Sequence, residues 1–124
     1  MIYNKSELYK VKFYTNKVGK SPILEYIDKL NPKEKSKILK YIKFLQANKG
    51  RLDKPYSKHI KGKIWELRIG FGKNRYRIFY FIFIKKTIIL LHAFLKKTRK
   101  TPKPEIKRAE EKYYDVLKNK KIYL

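Results

Sequence analysis

Trp65 to Pro102 reads WELRIGFGKNRYRIFYFIFIKKTIILLHAFLKKTRKTP, and its pattern decides the fold. Trp65–Ile69 alternates, with Trp65, Leu67 and Ile69 on one side and Glu66 and Arg68 on the other, as a strand requires. Gly70–Phe71–Gly72–Lys73–Asn74 is rich in residues that tolerate positive φ and reads as a turn. A second strand follows over Arg75–Ile84. Arg75 and Arg77 share a face with Phe79, Phe81 and Phe83; Tyr76, Ile78, Tyr80 and Ile82 take the other. A strand apolar on both faces is one covered on both. Lys85–Lys86 form a tight turn, and Thr87–Phe94 is a third strand that includes His92 and opens into Lys96–Lys97–Thr98–Arg99–Lys100. Three arginines, a histidine and a basic cluster thus converge on one end of an apolar sheet, where a phosphodiester can be held.

Working outward, Leu8–Tyr14 alternates weakly and reads as an edge strand with outward lysines. Ser21–Pro22 is a helix start, with Ile23, Leu24, Ile27 and Leu30 as its apolar stripe. Asn31 caps a second helix, with Glu34 at the capping-box position, Ile38, Tyr41, Ile42 and Leu45 inward, and Gly50 as its stop. Ser57–Lys63 is a basic lead-in carrying His59 and Gly62. Thr101–Pro104 opens a last helix, marked by Ile106, Ala109, Tyr113, Val116 and Leu117, and Asn119–Leu124 reads as a frayed tail. The order is β-α-α-β-β-β-α: a small α+β domain spanning residues 1–124, with an antiparallel sheet packed by an N-terminal helical hairpin and a C-terminal helix.

The bulk properties narrow the function. With 124 residues and 43% hydrophobic composition the chain makes one modest core. A formal charge of +24 seeks a polyanion or an acidic protein. Lys, Ile, Tyr and Asn are abundant throughout, and such bias accounts for part of the lysine excess but less well for the arginines. There is no cysteine, so neither disulfides nor thiolate metal sites are available. Met1–Lys10 lacks the apolar core of a signal peptide, which points to the cytoplasm. Lys85, Lys86 and His92 interrupt the apolar run Ile78–Leu95, which favours a hairpin over a membrane span.

Three segments together carry a resemblance: Pro55-x-x-Lys58-x-Ile60-x-Gly62-x-Ile64-Trp65-Glu66-Leu67-Arg68, then Arg75-Tyr76-Arg77-Ile78-x-Tyr80, then Leu91-His92-x-Phe94-x-Lys96-Lys97-Thr98-x-Lys100-Thr101-Pro102. This pattern resembles the RelE/HigB toxin superfamily over roughly residues 8 to 117, and most of all its phage-type HigB branch. The resemblance implies a RelE-like fold and a ribosome-dependent mRNA endonuclease. It also implies a neighbouring antitoxin, HigA-like with a helix-turn-helix. By resemblance, Arg68 and Arg77 match the strand arginines and Lys97 the basic position after the last strand. RelE carries a tyrosine after this cluster. Thr101–Glu105 has none, and Tyr113 and Tyr114 read as helix residues.

RNA supplies its own nucleophile, the 2′-OH. A cutter needs a proton acceptor, a proton donor and positive charge on the phosphorane. Guanidinium groups suit the last task, since each can donate two parallel hydrogen bonds. Arg68, Arg77, His92 and Lys97 are the catalytic candidates, and Lys58, Lys61, Arg75, Lys96 and Arg99 the candidates for RNA contact. His92 titrates nearest neutrality, although an apolar strand equally suits a structural histidine. His59 and Glu66 are further choices for acid or base, with Glu66 as readily orienting Arg68. Glu66 is the only carboxylate between Lys54 and Pro104, so no metal and no cofactor is expected. The strand aromatics are read as core rather than as a stacking platform. Two other readings stand beside the nuclease: a non-catalytic basic module that holds RNA or the ribosome, and a gyrase inhibitor of ParE type, which shares the superfamily's fold.

Overall fold

The strand over Asn74–Phe83, apolar on both faces beyond Arg77, takes the central place in the sheet. The computed structural model describes residues 8–124. Its elements are β1 (Lys10–Phe13), α1 (Pro22–Asp28), α2 (Pro32–Ala47), β2 (Ser57–Lys61), β3 (Ile64–Phe71), β4 (Asn74–Phe83), β5 (Thr87–Leu95) and α3 (Lys103–Lys118), closed by a 3₁₀ turn over Lys120–Tyr123. The five strands lie in the order β1-β5-β4-β3-β2. This is a small α+β domain with three helices and a five-stranded mixed sheet, consistent with a RelE-like fold.

Period-two alternation in β4 splits the core into two layers. Tyr76, Ile78 and Tyr80 pack with Ile27 of α1 and with Ile38 and Leu45 of α2. Phe79, Phe81 and Phe83 face the other way, against Ala109 and Val116 of α3. Both helices of the hairpin start as their sequences require. Ser21 Oγ accepts from Leu24 N at 3.4 Å, and Asn31 Oδ1 accepts from Glu34 N at 2.9 Å. The Glu34 carboxylate is buried and accepts from Asn74 Nδ2 at 3.1 Å and from the Tyr76 hydroxyl, tying α2 to β4.

Four features depart from the sequence reading. The sheet is mixed, because β1 pairs parallel to β5 while all other pairs are antiparallel. No tight turn links β1 to its partner, so hairpin geometry does not set its direction. The basic lead-in is itself a strand, β2, joined to β3 by the two residues Gly62 and Lys63, with Gly62 at φ +54. The β3–β4 turn is also tighter than expected: Phe71 pairs with Asn74, leaving Gly72 and Lys73 as the loop. Finally, Asn119–Leu124 is not frayed. Tyr123 is buried; its hydroxyl accepts from Thr15 N at 3.0 Å and donates to Thr15 O at 3.1 Å.

Candidate active site

Alternation along β3 sends Leu67 and Ile69 toward the helical hairpin and Glu66 and Arg68 toward the α3 side. On β4 the same rule turns Arg75 and Arg77 to that side. The tight hairpin sets the register, which places Arg68 directly opposite Arg77 and Gly70 opposite Arg75. On the outer side Lys58 of β2 stands opposite Glu66.

Glu66 has no exposed surface. Its Oε1 accepts from Arg68 Nε at 3.1 Å and lies 3.7 Å from Arg77 Nε. Its Oε2 accepts from Thr101 Oγ1 at 3.1 Å. Two like charges facing each other across strands repel, and this carboxylate offsets the repulsion. Arg77 Nη1 donates to the Tyr76 carbonyl at 3.0 Å. Arg77 Nε is buried and has no hydrogen-bond partner among the described residues. Burial draws the Arg77 pKa down, Glu66 opposes the shift, and Arg68 and Arg75 add to it.

Lys96 joins this cluster through the backbone. Its N–H donates to Arg75 O at 2.7 Å, which carries the antiparallel pairing of β5 with β4 one residue past Leu95. Burial lowers the Lys96 pKa, and the positive field of Arg77, then of Arg68 and Lys58, lowers it further against the pull of Glu66. Lys58, Arg68, Arg77 and Lys96 thus gather about one carboxylate, with Arg75 beside Arg77. Such a site attracts a phosphate and gives it fixed donors.

The other candidates lie apart. Lys97 and Arg99 are exposed on the loop between β5 and α3 and form no ion pair among the described residues. Lys61 pairs with Glu110 of α3 at 3.1 Å. His59 is on the opposite face of the sheet, edge-on to Trp65. His92 shares the α3 face with Arg77, and a bulge puts it there. Phe79 pairs with His92 but Tyr80 pairs with Leu90, so Leu91 is the extra residue and the face of β5 switches. The ring stacks on Phe94 at 5.8 Å. Its Nε2 lies 3.4 Å from Glu105 Oε2 and its Nδ1 3.4 Å from Lys112 Nζ, both on α3. Burial and then Lys112 lower its pKa, while Glu105 raises it. Both ring nitrogens therefore face α3, away from the arginine pair.

Thr101, Glu105 and Lys112 are the partners that sequence reading did not single out. Thr101 stands within the quoted motif, but its bond to Glu66 depends on the path of the loop. Among the described residues no group of three His, Cys, Asp or Glu side chains is arranged to hold a metal ion. No helix among them is long and apolar enough to cross a membrane.

Residues 25–114 match the family model described as phage-derived protein Gp49-like. The match runs from within α1 to within α3 and includes every residue of the arginine cluster. No curated protein matches the chain.

Proposed function

We propose that this chain, which belongs to the phage-derived Gp49-like family, a toxin-like family of the RelE/HigB type, is the toxin of a type II toxin–antitoxin system, of the HigB branch, and cuts ribosome-bound mRNA. One observation carries the reading. Arg68 and Arg77 stand in register across β3 and β4 and share the buried carboxylate of Glu66, so two guanidinium groups face one counter-charge. The positive charge left over attracts an anion, and a phosphate is the group that guanidinium donors suit best.

In this reading Arg68 and Arg77 hold the scissile phosphate and stabilise the phosphorane as charge develops. Glu66 and Thr101 position the arginines without touching RNA. Lys96, with its lowered pKa, is the proton-transfer group. In its neutral form it takes the 2′-OH proton, the 2′-oxygen bonds to phosphorus, and the bond from phosphorus to the 5′-oxygen breaks. The leaving 5′-oxygen takes up a proton from solvent water, and Lys96 returns its proton to solvent. The exposed Lys58, Arg75, Lys97 and Arg99 extend the basic surface along the strand. His92 supports the seat of α3. The partner is an antitoxin of helix-turn-helix type whose acidic segment masks Arg68, Arg77 and the Lys96–Arg99 loop.

The test is cleavage of message on translating ribosomes, with the cut ends identified. Attack by the 2′-OH leaves a 2′,3′-cyclic phosphate (or the 3′-phosphate it opens to) and a 5′-OH. Direct formation of 5′-phosphate ends would overturn the mechanism. No cutting by the parent protein would leave a basic binding module in its place.

A further inference from the structure

The opposite face of the sheet carries a second group of cations, here beside an uncovered aromatic ring. Leu67 and Ile69 are buried in the layer under the helical hairpin, but α2 ends at Ala47 and leaves Trp65, on the same face of β3, 40% exposed. Gly50 turns the chain at φ +75, so close to Ile82 that an added Cβ would lie 2.8 Å from its Cδ1. A cavity of about 780 Å³ remains between the loop after α2, the β2–β3 hairpin and Ile82. Small-ligand sites span roughly 300–1,000 Å³.

His59 lies edge-on to Trp65 at 5.2 Å, and its Nε2 donates to the Gly62 carbonyl at 2.6 Å. Arg51, Lys54 and Lys63 line the cavity, are exposed, and form no ion pair among the described residues. Asp53 is the one carboxylate in the lining.

We infer that this cavity binds an unpaired base of a single RNA strand, stacked on Trp65, with the flanking phosphates on Arg51, Lys54 and Lys63. A flat aromatic face with cations at its edge is what single-strand binding uses, because every base has a π-face and every link a charge. An acidic peptide would meet the same cations and leave the indole without a partner of matching shape. The site does not depend on cleavage: it lies across the sheet from Glu66 and would serve a non-cutting RNA binder as well.

Trp65 is the chain's single tryptophan, so its emission reports on this cavity alone. The intact protein is titrated with a short 2′-O-methyl oligoadenylate, which lacks the nucleophile and cannot be cut. The expected result is saturable quenching with a midpoint that rises with salt. Trp65→Ala should bind the labelled oligomer more weakly, on the order of tenfold to a hundredfold. Unchanged emission overturns the assignment. So does quenching by polyglutamate but not by the oligomer, which would make the occupant an acidic protein. If Trp65→Ala fails to fold, Lys54→Glu with Lys63→Glu replaces it, and quenching that survives this double charge reversal refutes the site.

Discussion

Arg68 and Arg77 stand directly opposite each other across the β3–β4 ladder, and both are directed at the same oxygen of Glu66, at 3.1 and 3.7 Å. Neither guanidinium would be stable there without that carboxylate, and the carboxylate would not be stable without them. Glu66→Ala should therefore destabilise the fold well beyond the loss of a few atoms. Breaking a buried ion pair costs about 3–5 kcal/mol. Arg68 keeps 28% side-chain exposure, so the expected loss is at the lower end, about 3 kcal/mol. It would appear as a lower urea midpoint with an unchanged slope. Adding Arg77→Met should recover most of the loss, because the repulsion disappears with the charge. A double variant no more stable than Glu66→Ala would show that the three groups are not coupled.

His92 should make its contribution to stability depend on pH. Its folded-state pKa is below the ordinary 6.5, chiefly through burial. Above pH 6.5 both folded and unfolded chains hold the ring neutral, and there is no penalty. As the pH falls through 6.5 the unfolded chain takes up the proton first, and stability drops until the depressed folded pKa is passed. His92→Asn should flatten this part of the stability curve. The same slope in parent and variant would mean that another group titrates there.

Tyr123 closes the C-terminus onto the sheet. Its ring lies 6.5 Å from that of Phe83, and its hydroxyl makes both hydrogen bonds with the Thr15 backbone. Tyr123→Ala should cost roughly 3 kcal/mol, the lower end for a large buried aromatic. Tyr123→Phe should cost less, about 1–2 kcal/mol, for the backbone groups left unpaired. Thermal melts of the two variants check the order. Equal melting temperatures for parent and alanine variant would restore the frayed tail.

How far the sequence could be read depended on the range of the information needed. The strand alternation of Leu67, Arg68, Tyr76 and Arg77 is local, so it put Arg68 with Glu66 on β3 and Arg77 with Arg75 on β4. Their direct opposition needed the length of the turn, and five turn-forming residues hid a two-residue loop at Gly72–Lys73. The face of His92 needed the bulge at Leu91, which no pattern in an all-apolar run reveals. β2 was missed because its basic residues gave no apolar alternation; the Gly62–Lys63 hairpin was the available signal. Thr101 reaches Glu66 over 35 positions in sequence, and Lys96 rather than Lys97 enters the cluster because of one backbone bond to Arg75. Neither follows from spacing.

That distinction between Lys96 and Lys97 gives the sharpest test of the proposed chemistry. If Arg77 stabilises charge that develops only in the transition state, Arg77→Ala should slow cleavage by roughly 10²–10³-fold, with ribosome affinity changed little, since one contact among many phosphate contacts is a small share. Arg77→Lys should recover only part of the rate, because an ammonium cannot donate in parallel from a planar fork. Lys96 carries a further signature. Its pKa is lowered by burial and by Arg77, so the rate should rise with pH through a limb below the ordinary lysine range, and Lys96→Met should abolish that limb. In Arg77→Ala the same limb should move upward in pH, since one of the charges depressing Lys96 is gone. Lys97 is exposed and has no ion pair among the described residues, so Lys97→Ala should weaken binding and its salt dependence while leaving the limb in place, and Lys43→Ala on α2 should do no more than that. Single-turnover cleavage on programmed ribosomes separates binding from the chemical step. A limb that survives in Lys96→Met and vanishes in Lys97→Ala or His92→Ala would transfer the proton-transfer role to that residue.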